Sequence, residues 1–216
     1  MARESTKSFS PSSPKPARSF LDLAPLPTEF FLQKTEVVAR KLLGKVLLRV
    51  LGESVLAARI VEVEAYLGSD DPASHAYRGP SKRNQSMFLA GGTCYVYLSY
   101  GVHYCMNVAT GKPGVGEAVL LRALEPLEGE KQMRCNRKLR DKDRFGISNG
   151  PGKLTQAFSI DLSFDGERFD REDFKLVDLG ERLGDKQVAR SPRIGISKAK
   201  ERLLRFYEKS SPWVSR

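Results

Sequence analysis

Cysteine and histidine are scarce in this sequence. Its 216 residues include only three cysteines and two histidines. The cysteines, Cys94, Cys105 and Cys135, are odd in number, and no two of them have CxxC spacing. This pattern argues against a disulfide framework, and too few ligands are present for the usual zinc sites. The sequence therefore predicts a reduced, metal-free protein that needs no cofactor.

Long apolar runs are also missing. No stretch approaches the roughly 18 to 20 apolar residues that a membrane-spanning helix needs, and the first residues lack the apolar core of a signal peptide. We therefore expect no membrane partner and an intracellular location. That location would be the cytoplasm with the nucleoid in a bacterium, and the nucleus in a eukaryote. We also expect a monomer.

Acidic residues are outnumbered by basic ones. Lys and Arg total 36 against 26 Asp and Glu, which gives a net charge of +10. A surplus of this size favours a polyanionic partner, because each phosphate that is neutralised releases condensed counterions. The same surplus also fits a solubility function or an acidic membrane surface. Nucleic acid is the favoured partner class.

The chain divides into a tail and one domain. Residues 1–27 are rich in Ser and Pro and lack apolar periodicity, which predicts a disordered, mildly basic tail. Residues 28–216 contain no second linker and no internal repeat. The hydrophobic content of 40% is enough for one core in a chain of this length.

Within the domain, predicted strands outnumber predicted helices. Thr35 is the predicted N-cap of a helix that stops at Gly44, and further helices are expected within 127–144 and from the 148–153 turn to Phe158. Residues 199–207 form an amphipathic, basic segment. The predicted strands cover residues 45–50, 55–66, 95–100, 103–108 and 118–124. This order predicts an α+β class: a mixed domain with a central, antiparallel-rich curved sheet, surrounding helices and a protruding β-hairpin.

The strand at 55–66 carries two acidic residues in an apolar context. Alternation places Glu62, Glu64 and Tyr66 on the same face as Ile60. Acidic side chains are poor strand formers, so their presence needs a reason. One interpretation is a solvated sheet face. The other is a carboxylate beside an aromatic ring in a cleft, placed to act as a general base.

Aromatic residues crowd the predicted hairpin. Tyr95, Tyr97, Tyr100 and Tyr104 lie within ten residues, together with His103. Strand tyrosines usually pack in a half-buried position, which suffices for Tyr95 and Tyr97. Tyr100 differs because it lies at the turn, where an aromatic ring in a basic protein is a plausible wedge for a base stack.

A glycine-rich turn precedes the helix that ends at Phe158. The residues Asn149-Gly150-Pro151-Gly152-Lys153 are typical either of an ordinary helix N-terminus or of a turn whose free backbone N–H groups and lysine hold a phosphate. The spacing is not that of a Walker A loop, so nucleotide hydrolysis is not expected. A carboxylate, stacking aromatics, a wedge and phosphate contacts together suit an enzyme that flips a base out of a duplex.

Several segments, in chain order, carry a family resemblance. They are RIVEVEAYLG (59–68), RNQSMF (83–88), residues 92–107, VLLRALEPLEG (119–129), GPGKL (150–154), RFY (205–207) and SPWVS (211–215). Together they resemble the alkyladenine (3-methyladenine) DNA glycosylase family over nearly the whole domain. The resemblance implies a base-excision-repair enzyme whose partner is double-stranded DNA containing damaged purines. It would flip alkylated or deaminated purines and hydrolyse the N-glycosidic bond, leaving an abasic site.

The resemblance also implies residue roles, position by position. Glu64 would activate the attacking water, and Arg122 would help to hold that water and set the charge of the glutamate. Four residues would form the base pocket: Tyr66 and His75 as the stacking faces, Tyr97 edge-on, and Asn107 at the floor, where it would exclude the exocyclic amine of guanine.

On the DNA side, the resemblance makes Tyr100 the intercalating residue. DNA-backbone contacts would come from Val102, His103, Lys153, Arg83 and Lys82. Val102 and His103 depart from a methionine and a tyrosine found in some family members, so the grip of the hairpin tip on DNA is expected to differ in detail.

Two other functions fit parts of the pattern. A non-catalytic nucleic-acid-binding module would use the same basic and aromatic residues, and a carbohydrate hydrolase would use Glu62 and Glu64 as its acid pair. No lysine lies in the strand or the hairpin that build the predicted pocket, and Lys82 and Lys112 lie in loops. We therefore expect a water nucleophile, no Schiff base and no lyase activity.

Overall fold

The computed structural model describes residues 19–139 and 145–215. Most of the predicted tail, residues 1–18, lies outside the described residues. Packed structure nevertheless begins upstream of residue 28: Phe20–Asp22 form a 3-10 turn, Pro25 bridges to Val177, and Leu26 is buried. In the described residues, no helix combines the length and the apolar character needed to span a bilayer.

An antiparallel sheet organises the described chain. Its strands are β1 (Val46–Leu51), β2 (Ser54–Tyr66), β3 (Cys94–Ser99), β4 (His103–Thr110), β5 (Glu117–Glu128), β6 (Phe174–Val177), β7 (Val188–Ser191) and β8 (Arg205–Glu208). They run in the order β3-β4-β5-β2-β1-β6, and β8 pairs with both β2 and β7. The helices are α1 (Thr28–Phe31), α2 (Thr35–Leu42), α3 (Glu130–Asn136) and α4 (Pro151–Ala157). The predicted α+β class is confirmed.

The predicted strands all exist, with shifted ends, whereas β6 and β7 were not anticipated. Each of these two strands has only four residues and lies in a charged stretch, so alternation cannot be recognised in the sequence. The amphipathic segment 199–207 contributes its end to β8, which pairs with Glu62–Glu64 of β2. That pairing is non-local, so local periodicity carries no signal for it.

The start and end of α2 test two predicted caps. Thr35 is the first helical residue rather than the N-cap, which is Lys34, and the Thr35 hydroxyl lies 2.7 Å from the Thr110 hydroxyl on β4. A tertiary hydrogen bond thus replaces the expected local one. Gly44 follows the C-cap residue with a φ of +83°, as expected for a helix stop.

The long strand β2 positions the functional face of the sheet. One edge of β2 pairs with β5, and its other edge is shared between β1, at residues 54–59, and β8, at residues 62–64. Register shifts between Ile60 and Val63 mark bulges in the β2–β5 ladder. The predicted alternation fails there, because Ile60 joins the same buried core cluster as Val61 and Val63. Bulges of this kind redirect side chains, often beside active sites.

Candidate active site

An open cleft of about 940 Å³ lies between the β3–β4 hairpin, the ends of β2 and β5, and the segment that joins β7 to β8. No group of three or more His, Cys, Asp or Glu within residues 19–139 and 145–215 is arranged to hold a metal ion. The cleft brings together most of the predicted site residues: Tyr66, His75, Arg83, Tyr97, Tyr100, Asn107 and Arg122. Val102, His103, Lys153 and Lys82 do not line it.

Glu64 lies beneath the cleft floor and is fully buried. Its Oε1 accepts a hydrogen bond from the Ile194 backbone N–H at 2.7 Å, and its Oε2 accepts one from the Tyr66 hydroxyl at 2.9 Å. Arg122 Nη1 lies 3.3 Å from the same Oε2. These three neighbours of the carboxylate all line the cleft. The solvated-face interpretation of β2 is therefore wrong.

The surroundings of Glu64 act on its pKa in opposite directions. Burial raises the pKa, while the positive charge of Arg122 and the hydrogen bonds from Ile194 and Tyr66 lower it, and burial prevails. A carboxylate with a raised pKa is a stronger proton acceptor than an exposed one, provided that it is ionised. Arg122 favours the ionised form, so the pair suits general-base chemistry.

Glu62, the other acidic residue of β2, has a different environment. It is fully buried and accepts hydrogen bonds from Arg122 Nε at 2.9 Å, Arg205 Nε at 2.7 Å and the Ser215 backbone N–H at 2.6 Å. The Ser215 hydroxyl donates a fourth, at 2.8 Å. Four donors leave this carboxylate no position for a substrate proton. Glu62 therefore orients Arg122, and the acid-pair arrangement of a carbohydrate hydrolase is not supported.

Aromatic and amide groups form one wall of the cleft. His75 Nδ1 lies 2.8 Å from the Tyr95 hydroxyl, and the His75 and Tyr97 rings meet edge to face with centroids 4.6 Å apart. Asn107 is buried and donates from Nδ2 to the Tyr95 carbonyl oxygen at 3.0 Å. Burial lowers the pKa of His75, and the nearby Arg83 lowers it further. A neutral imidazole therefore faces the cleft at neutral pH.

The hairpin tip projects Tyr100 into solvent. Its side chain is 92% exposed, whereas Val102 is 67% exposed. Three residues, rather than the two predicted, connect β3 to β4. A hydrogen bond from the Val102 N–H to the Ser99 carbonyl oxygen closes the turn. Tyr100 and Gly101 have φ values of +51° and +71°. Positive φ at both positions is the signature of a type I′ turn, in which glycine is favoured.

The predicted phosphate-binding turn packs against the base of this hairpin. A Cβ on Gly152 would lie 2.8 Å from the Cβ of His103, so only glycine permits this approach. Lys153, partly buried, donates from Nζ to Asn149 Oδ1 at 2.7 Å. Arg83 is exposed, donates to the Leu98 carbonyl oxygen and lies 5.6 Å from the Tyr97 ring centroid. Lys82 is exposed nearby.

The segment at residues 193–198 was missed in the sequence. It supplies the Ile194 N–H to Glu64, and Arg193 lies 4.5 Å from the Tyr66 ring centroid. Lys198 also lines the cleft, so the absence of lysine predicted for the pocket strands does not extend to this segment. The segment is neither a helix nor a strand, and its only local signal was the excess of basic residues.

Comparisons with known proteins identify a family and several relatives of this chain. A model of the methylpurine-DNA glycosylase family matches residues 29–212. A Koribacter versatilis protein named "Putative 3-methyladenine DNA glycosylase" is 42% identical over 203 residues, which cover 93% of this chain and 97% of that protein. Proteins of the same name from Francisella tularensis subsp. tularensis and Methanoculleus marisnigri are each 44% identical, over 85% and 88% of this chain and 94% and 98% of their own lengths.

The family match spans the parts of the chain that build the cleft. It includes β2, the β3–β4 hairpin, β5 and the segment that carries Arg193 and Ile194. The relatives extend over most of the same residues at more than 40% identity. The chain therefore belongs to the methylpurine-DNA glycosylase family.

Proposed function

We propose that this protein removes methylated purines from duplex DNA by rotating the damaged nucleotide into the cleft and hydrolysing its N-glycosidic bond with a water activated by Glu64. One observation carries the proposal: a buried glutamate with a raised pKa lies under the floor of an aromatic-walled cleft, in contact with Tyr66, Arg122 and Ile194. A merely structural carboxylate would not need to adjoin an open cleft of this size.

In this reaction the water oxygen attacks C1′ of the deoxyribose, and Glu64 accepts a water proton. The bond between C1′ and the purine nitrogen breaks, and its electron pair leaves with the base. The sugar gains oxocarbenium character, which the carboxylate also stabilises electrostatically. A purine that is cationic through methylation leaves as a neutral base, so it needs no added proton.

The cleft wall suits a cationic purine. Such a base stacks on tyrosine faces through cation–π attraction, on the order of 1–2 kcal/mol when desolvated. We assign the stacking faces to Tyr66 and His75, with Tyr97 edge-on. Because the pKa of His75 is lowered, its imidazole is neutral and does not repel the bound cation. Asn107, on the cleft lining, would exclude the guanine amine.

Neutral deaminated purines such as hypoxanthine belong to the same proposal. They would occupy the same cleft but need a proton as they leave, whereas a methylated purine does not. The base-release step is therefore expected to be slower for hypoxanthine. Asn107 and His75 line the cleft and would offer polar groups to either kind of base.

Removing the Tyr100 ring is expected to weaken base flipping. Its exposure means that Tyr100→Ala should fold normally, while the variant loses the group that would fill the gap in the duplex. Aromatic stacking on a base contributes about 1–3 kcal/mol, so affinity for methylated duplex and the rate of base release should fall roughly tenfold or more. Fluorescence anisotropy and single-turnover assays measure the two effects.

Tyr77→Ala is the matched control, because Tyr77 is exposed and does not line the cleft. If Tyr100→Ala and Tyr77→Ala have the same affinity for methylated duplex and the same rate of base release, Tyr100 has no role in base flipping. The DNA-backbone contacts are assigned to residues around Tyr100 and the cleft, namely Val102, His103, Lys153, Arg83 and Lys82. Substitution of the basic residues among them is expected to weaken binding to duplex DNA of any sequence and to reduce the salt dependence of that binding.

A water nucleophile predicts that no covalent protein–DNA adduct forms. Activation of a lysine amine usually requires desolvation, whereas Lys198, the cleft lysine, is exposed. Borohydride added during turnover of methylated duplex should therefore trap nothing on a denaturing gel. A trapped adduct that disappears in Lys198→Arg would replace the water mechanism with a Schiff base.

The function itself is tested with purified protein and duplex DNA that carries 7-methylguanine or 3-methyladenine. Free methylpurine should appear with time, and the strand should stay intact until the abasic site is cleaved by alkali. Binding to the methylated duplex without any release would support the non-catalytic module instead. Release together with strand cleavage would show lyase activity.

A further inference from the structure

A buried ion pair that does not include Glu64 joins two loops next to the cleft. Arg193 Nη2 donates to Asp71 Oδ1 at 2.8 Å and its Nη1 to Asp71 Oδ2 at 2.5 Å, a bidentate arrangement in which both side chains are fully buried. Asp71 also accepts from the backbone N–H groups of Leu67 and Ala73, each at 3.2 Å. The pair thus fixes the loop that follows β2 to the segment between β7 and β8.

The same guanidinium touches the end of β2. Arg193 Nη1 donates to the Ala65 carbonyl oxygen at 2.9 Å, and the guanidinium carbon lies 4.5 Å from the Tyr66 ring centroid. Arg193 therefore packs on the ring that carries the hydroxyl bonded to Glu64. A planar guanidinium suits this position because it can stack on the ring and bind a carboxylate with two parallel hydrogen bonds.

The backbone beside Arg193 reaches Glu64 directly. The N–H of Ile194, which belongs to the peptide bond between Arg193 and Ile194, donates to Glu64 Oε1 at 2.7 Å. An anchored Arg193 side chain therefore restrains this peptide. Two of the contacts of Glu64, from the Tyr66 hydroxyl and from the Ile194 amide, depend on the placement of one arginine.

The chemistry of the pair is unfavourable for stability alone. Two charges are removed from water, and Arg193 Nε is buried without a hydrogen-bond partner. Buried ion pairs are often no more stabilising than apolar residues of the same volume, and an unsatisfied buried donor adds a further cost. What the pair provides here is a defined geometry between two loops and Glu64.

We propose that Asp71 and Arg193 are positioning residues for base removal, holding the Tyr66 ring and the Ile194 amide in place against Glu64. This inference rests on the proposed function. Neither residue touches the reacting atoms. A displacement of about 1 Å in a positioned group can cost about a hundredfold in rate, so the pair is expected to affect the chemical step more than the binding of DNA.

The test uses Arg193→Lys, which keeps the charge but loses the bidentate contact and the planar stack. Its single-turnover rate should fall about ten- to a hundredfold, whereas affinity for undamaged duplex should stay unchanged. In this variant the hydrogen bond from the Ile194 N–H to Glu64 should be weaker and should lower the pKa of Glu64 less. The acid limb of the pH–rate profile should therefore move to higher pH. The groups that act on this pKa or face the carboxylate are Arg122, Glu62, Tyr66, Tyr97, Cys105 and Arg193.

Arg59→Lys is the matched control. Arg59 also belongs to an ion-pair network, a partly buried one with Glu125 and Glu208, but it does not line the cleft. It should lose thermal stability without any movement of the acid limb. Asp71→Glu, measured in parallel, retains the charge of the other partner and should show a smaller change of the same kind as Arg193→Lys.

Different results test the positioning role of Asp71 and Arg193 and the proposed role of Glu64. If Arg193→Lys and Asp71→Glu keep the wild-type rate and acid limb, or if neither folds, the pair is structural and the positioning role is wrong. If Glu64→Gln releases base as fast as the wild type does, the proposed function fails, whatever the pair does. A shifted acid limb in Arg193→Lys, absent in Arg59→Lys, supports the positioning role.

Discussion

Replacement of Glu64 by glutamine is expected to abolish the release of methylpurine while binding to methylated duplex survives. Glutamine has nearly the same shape and can still accept the Ile194 hydrogen bond, but it cannot take a proton from water. General-base catalysis contributes about 10²–10⁴-fold, and the loss should be at the upper end because the carboxylate also stabilises the oxocarbenium-like sugar. Single-turnover release and anisotropy separate the two effects.

The pH dependence of the wild type gives a second readout of the same residue. Base release needs ionised Glu64, so the rate should fall as the pH drops through its pKa. Burial raises that pKa, which places the acid limb above the range of an exposed glutamate. The acid limb should disappear in Glu64→Gln, together with the activity that it limits.

Stability should change in the opposite direction from activity. The pKa of Glu64 in the folded state lies above that of an exposed glutamate, so the stability associated with its protonated form is present at low pH and is lost as the pH rises through the folded pKa. At neutral pH the neutral glutamine should therefore unfold at a temperature no lower than that of the wild type. Glu53→Gln, in the exposed β1–β2 turn, is the control. A Glu64→Gln variant that unfolds far below both proteins would mean that misfolding causes the lost activity.

Local sequence patterns were sufficient for the central sheet. The strand β2, the β3–β4 hairpin and the apolar run of β5 follow from residues that are near one another in the chain, and the structure has all three. The β2 alternation nevertheless breaks at the bulges, and the hairpin turn has three connecting residues rather than two. The same patterns could not separate Glu62 from Glu64, because alternation puts both on one face. Their different surroundings come from Arg205 and Ser215, which are distant in sequence.

The contacts made by Arg193 illustrate why the rest of the site could not be predicted. Asp71 and Arg193 are 122 residues apart, and neither lies in a regular element. A buried charge in an irregular, basic segment has the same local sequence signature as an exposed one. The pairing of β8 with β2 brings this segment next to the cleft, and that pairing depends on tertiary structure.

Replacement of Arg122 by methionine should suppress activity by a different route from the loss of Glu64. Arg122 is buried, lowers the pKa of Glu64 and is held by Glu62. Without its positive charge, the pKa of Glu64 rises further, so a larger fraction of the carboxylate is protonated at any given pH. Release at neutral pH should fall by about 10²–10³-fold, as expected when a general base is lost, and should recover in part as the pH is raised.

The recovery at high pH distinguishes an electrostatic role for Arg122 from a purely structural one. Loss of one partner from a buried ion pair typically costs about 3–5 kcal/mol of folding free energy, although Glu62 keeps Arg205 and Ser215, and Glu64 can neutralise itself by binding a proton. Arg122→Lys retains the charge and should keep an acid limb near that of the wild type. The test is the pH–rate profile of each variant between about pH 5 and 9. Thermal unfolding first establishes that each variant is folded. If Arg122→Met loses activity equally at every pH, its charge does not set the ionisation of Glu64. The arginine would then act only by holding water or by packing.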